Sequence, residues 1–116
     1  MVEVAEWDYQ CSFGKKNMHF VVSWDIEAKS DRWNTINLDL RGTLDGHSWV
    51  RPLSTFYIVK IASQEQWNKI FAAITEKRKG YPEVIRVVMS PLMRGGRYNG
   101  LLPKDMWEKV NKRTEE

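Results

Sequence analysis

Residues 18–26 read Met-His-Phe-Val-Val-Ser-Trp-Asp-Ile, a nearly unbroken run of β-branched and aromatic residues. Such a run describes a strand buried on both faces in the middle of a sheet. It requires partners on either side and layers above and below, so it constrains the rest of the chain more than any other segment. Asp25 stands at its C-terminal end, and Glu27 to Ser30 read as a polar loop.

The following segments alternate in period. Ser30 or Asp31 can cap a helix, and Trp33, Ile36, Leu40 and Leu44 then recur at spacings of three and four, one helical face over about 31–44. Residues 48–61 are extended but contain Pro52, which cannot donate to a ladder, so a short strand over Ser48–Arg51 and a longer one over Thr55–Ile61 are expected. In the longer strand Phe56 and Ile58 face one way, while Thr55, Tyr57, Val59 and Ile61 face the other. Ser63 with Gln66 three residues on predicts the start of a helix over 64–79, with Trp67, Ile70, Phe71 and Ile74 as its apolar stripe. Val84–Met89 is the last strand, ended by Pro91, and Pro103 opens a short helix over 103–112 that offers Met106, Trp107 and Val110 for packing. The order β-α-β-β-α-β with a tail helix predicts an α+β fold, a ferredoxin-like two-layer sandwich. Residues 1–17 read as an N-terminal extension, 18–112 as the domain, and 113–116 as a frayed end.

A chain of 116 residues, 42% hydrophobic, is long enough to bury a core without staples. A lone cysteine, Cys11, forms no internal disulfide, and no stretch approaches the roughly 18 apolar residues of a membrane span. Glu3, Glu6 and Asp8 are not the basic start of a secretory leader, so a cytoplasmic location is expected, with no membrane partner.

Charge is uneven. Residues 1–58 hold six Lys/Arg against eight Asp/Glu, and residues 59–116 hold twelve against seven. The basic half is compatible with a phosphate-bearing partner, but a solvated mixed-charge surface is the simpler explanation. Arg94-Gly95-Gly96-Arg97-Tyr98 is the segment most like a nucleic-acid contact: Arg fits phosphate geometry and Tyr can stack on a base. Lys77, Arg78 and Lys79 could extend it, or could simply complement the dipole at a helix C-terminus. Arg32 and Arg51 could reach phosphate near the Asp25 end, or pair with surface acids. His19 and His47 lie 28 residues apart without companion cysteines, so no zinc signature is present. Trp7, in the extension, is the candidate anchor for a protein partner.

Val22-Ser23-Trp24-Asp25-Ile26, a buried strand ending in an aromatic-Asp pair before a helix, resembles the first strand of the small CRISPR-adaptation endoribonuclease-like proteins, which have virulence-associated toxin relatives. Over residues 19–112, Trp49 to Phe56 and Leu102 to Trp107 resemble segments of uncharacterised SinR-like proteins placed in the same superfamily. The resemblance implies a homodimer with Asp25 near its axis, holding Mg²⁺ or Mn²⁺ with its mate, and small polar residues nearby at Ser54 and Thr55. It implies binding of RNA or DNA, with metal-dependent endoribonuclease activity in some members and architectural DNA binding in others. Against this stands a non-enzymatic reading, a protein-interaction module of inhibitor or antitoxin type. Asp25 is the one acidic residue at a motif position, and no general base is identifiable; Asp25 could equally cap a loop.

Overall fold

A computed structural model describes residues 17–115. Its elements are β1 (Met18–Ile26), α1 (Ser30–Arg41) with a 3-10 turn at Gly42–Leu44, β2 (Ser48–Leu53), β3 (Phe56–Ile61), α2 (Gln64–Lys79), β4 (Ile85–Met89) and α3 (Lys104–Thr114). The four strands form one antiparallel sheet in the order β2-β3-β1-β4. This α+β architecture is compatible with a ferredoxin-like sandwich. No described helix is long and apolar enough to cross a membrane.

β1 lies inside the sheet, as its composition demands. Its even positions Phe20, Val22, Trp24 and Ile26 are buried with Tyr57, Val59 and Ile61 of β3 against Ile36, Leu40 and Leu44 below α1 and Ile70 and Ile74 of α2. Strand alternation therefore puts α1 and α2 on one face. Within that layer Trp24 Nε1 donates to Asn37 Oδ1 at 2.8 Å, which makes a buried Asn tolerable, while the buried Tyr57 hydroxyl has no partner among the described residues.

The opposite face is not open. Val50 and Ile58 on that side pack with Val110 of α3, joined by Val21, Phe56, Met106 and Trp107. The tail helix is thus a partial third layer over β2 and β3, and the two-layer description undercounts the fold. Helix continues to Thr114, two residues past the expected span, and Thr114 is 2% exposed and donates back to Val110 O at 3.1 Å.

Local signals account for most boundaries. Ser63 Oγ accepts from Gln66 N at 3.2 Å while Gln66 Oε1 accepts from Ala62 N at 2.7 Å, a reciprocal cap displaced by one residue from the usual box. At α1 the expected cap is absent. Lys29 holds the N-cap position without a side-chain bond, and Ser30 has φ 40. The β2–β3 ladder slips between Val50 and Leu53, around Pro52, and the connection tightens to a turn at Ser54-Thr55, so β3 begins at Phe56 rather than Thr55.

Candidate nucleic-acid interface

The candidate residues fall at two ends of β1. Asp25 pairs with Arg86 of β4 and Ile26 with Ile85, whereas His19, six residues earlier, bridges to Met93. Six strand residues span roughly 20 Å. Asp25 and the Arg94–Tyr98 loop therefore lie at separate places on the chain.

At the first end, Asp25 points to the face that α3 shares, with a side chain 76% exposed. Its cation is Arg86, not Arg32: Arg86 Nη1 lies 3.5 Å from Asp25 Oδ2, and its Nη2 lies 2.7 Å from Glu27 Oε2. Arg32 is engaged elsewhere. It pairs with Glu83, with Nη2 3.1 Å from Oε1, and lies over the Tyr81 ring at 5.1 Å. That hydrogen bond holds the Glu83 carboxyl below the usual carboxylate range. Thr55 O accepts from Trp24 N at 3.3 Å, so the Ser54-Thr55 turn does lie one residue from Asp25, through backbone rather than hydroxyl contact.

A hard dication takes several oxygen ligands. Among the described residues no group of three or more His, Cys, Asp or Glu converges, and the guanidinium of Arg86 stands between the two carboxylates at this end. The described residues around Asp25 do not by themselves fit a metal site.

At the second end, Gly95 and Gly96 have φ 61 and 98, a left-handed pair that only glycine adopts without strain. This reversal carries Arg94 and Arg97, both exposed and without an ion pair among the described residues. Tyr98 is the pin that fixes the loop. Its ring packs on the second apolar cluster and its Oη lies 2.8 Å from His19 Nε2. The half-buried ring is therefore held by the fold, with its hydroxyl committed to His19. His19, 1% exposed, is pushed below its ordinary pKa by burial, and burial pushes the Tyr98 phenol up. Beside the loop, a polar hollow of about 470 Å³ is lined by Arg97, Asn99, Asn111 and Glu115 among others.

The basic end of α2 does not extend this loop. It lies on the α1/α2 face at the Asp25 end, where Arg78 Nε donates to Ile85 O at 2.7 Å. Lys77 Nζ sits 2.9 Å from Asp39 Oδ1 and Lys79 Nζ 3.6 Å from Glu76 Oε1. Tyr81 Oη also donates to Asp39 Oδ2 at 2.6 Å, and that bond, ahead of the Lys77 contact, holds the Asp39 carboxyl low. Arg51 is exposed on β2, and the Trp7 anchor lies outside the described residues. Sequence reasoning missed Arg86, whose signal was a lone cation inside an otherwise apolar strand.

Compared with protein-family models, curated proteins and solved structures, the chain gives no match.

Proposed function

We propose that this protein binds nucleic-acid phosphate through the Arg94–Arg97 loop, as a homodimer on a ferredoxin-like scaffold. The observation that carries the reading is the pair of exposed guanidinium groups, uncompensated among the described residues, on a glycine turn pinned by Tyr98 to His19. Fixing a loop in advance lowers the entropy lost on binding, so two arginines there do more than two on a free tail. β4 supports the dimer: it is an edge strand, and Val88 is 73% exposed on it. An endoribonuclease form of the activity would need Asp25 from two chains, because one protomer offers a carboxylate already facing Arg86.

The test is fluorescence anisotropy with a dye-labelled single-stranded RNA and a duplex DNA across a salt series. Affinity should fall as salt rises, and Arg94→Ala with Arg97→Ala should reduce the single-strand log–log slope by about 1.4, two phosphate contacts at ~0.7 each. Unchanged affinity and slope in the double variant would remove the loop from the reading.

A further inference from the structure

On the α3 face an apolar cleft of about 200 Å³ opens between the β2–β3 turn and the chain that enters α3. Ile58 and Val110, each 1% exposed, lie deepest, with Leu53, Phe56, Leu102 and Trp107 around them. Leu53 and Leu101 also line it, yet they are 59% and 100% exposed. A single exposed Leu is ordinary, but two beside an apolar cleft make a contiguous patch, which marks an interaction surface.

Size selects the guest. Small-molecule sites run from about 300 to 1,000 Å³, so this cleft suits one large side chain rather than a cofactor. Phe56 and Trp107 favour an aromatic one, since paired rings gain beyond their buried area. Charge selects its surroundings. Arg97 and Lys104 are exposed within two residues of the lining residues Tyr98 and Leu102, with Asp105 as the opposing acid, and none makes an ion pair among the described residues. The backbone excludes strand addition here: Pro52 has no N–H, and the ladder slips between Val50 and Leu53. Recognition must come from a side-chain anchor and flanking charge.

We infer that this cleft receives one aromatic side chain of a partner protein, carried on a short acidic segment. The inference goes beyond nucleic-acid binding and is tested at Leu53 and Leu101, which that reading does not use. A dye-labelled acetyl-Asp-Glu-Trp-Glu-Asp amide, titrated with the full chain and followed by anisotropy, should bind saturably, with Kd on the order of 10–100 μM. Leu53→Asp and Leu101→Asp should each weaken it about tenfold or more, and so should replacing the peptide's acids with Lys. Both leucines are exposed, and circular dichroism with a melting curve checks that the variants fold. Equal binding of the Lys peptide, no loss in either variant, or no binding up to about 1 mM overturns the inference, whatever else fills the cleft. If Leu53→Asp instead halves a dimer mass in light scattering, a second copy covers the cleft and the partner is refuted.

Discussion

His19 Nε2 and Tyr98 Oη meet at 2.8 Å across 79 residues of sequence, at the point where β1 enters the sheet and the Arg94–Arg97 loop leaves it. The His19 backbone joins the same junction: its amide donates to Met93 O at 3.0 Å, and its carbonyl accepts from Met93 N at 2.9 Å. One residue thus holds the loop by main chain at one end and by side chain at the other. Lys60 is its neighbour across the ladder, so the imidazole also sits next to a cation in register.

Acid should therefore destabilise the fold through His19. Burial depresses its pKa in the folded chain, so the unfolded chain, titrating near 6.5, binds the proton more readily. The stabilising contribution is fully present above pH 6.5 and is lost as pH falls below it, at no more than about 1.4 kcal/mol per pH unit for one group. Urea unfolding at pH 8 and at pH 5.5 measures it. His19→Gln should flatten the difference between the two pH values, and an unaltered difference would assign the effect to other groups.

Removing the Tyr98 hydroxyl should cost more than a surface change. Tyr98→Phe keeps the ring in its apolar cluster but strands a buried imidazole nitrogen, a loss of about 1–3 kcal/mol. Amide exchange at Gly95 and Gly96 should rise in the variant, because the far end of the turn is no longer tied down. Exchange equal to wild type would mean that the ring alone holds the loop.

The contrast between α2 and this loop explains what could be read in advance. α2 was legible because its cap, Ser63 with Gln66, and its stripe, Ile70 and Ile74, are local patterns with a fixed period. β1 and β3 were legible because period two sorted Phe56 and Ile58 from Tyr57 and Val59. The start of α1 was not, since Ser30 looks like a cap yet sits inside the helix with a positive φ. Tyr98 in a glycine-rich loop looks exposed, and nothing nearby in sequence announces a partner at His19. Asp25 had the same problem, since Arg86 reaches it only through strand pairing. Long-range pairing decides such roles, and one sequence does not display it.

The stripe of α3 said that the helix packs but not where, and its depth can be measured. Val110 is 1% exposed between Val50 and Ile58. Val110→Ala should cost about 2 kcal/mol from lost burial and the cavity left behind, and the urea transition should stay single. A loss under about 0.5 kcal/mol would return α3 to a loosely attached tail.

Asp25 and Arg86 supply the last prediction, which separates a structural pair from a reactive carboxylate. At 3.5 Å, with side chains 76% and 60% exposed, their attraction is screened by water, and such pairs contribute about 0–1 kcal/mol. Arg86 also holds Glu27 at the shorter distance of 2.7 Å, so it keeps a partner when Asp25 is neutralised. Asp25→Asn should therefore change stability by less than about 0.5 kcal/mol, and Arg86→Ala, which abandons two carboxylates on one surface, should cost more. Thermal melts of the two variants in low and moderate salt test the order, and the gap should narrow as salt rises. If Asp25→Asn proves the more damaging change, the carboxylate has a structural partner beyond Arg86. If both variants melt like wild type and RNA remains intact with Mg²⁺ or Mn²⁺ in every case, Asp25 serves neither the fold nor a cleavage site.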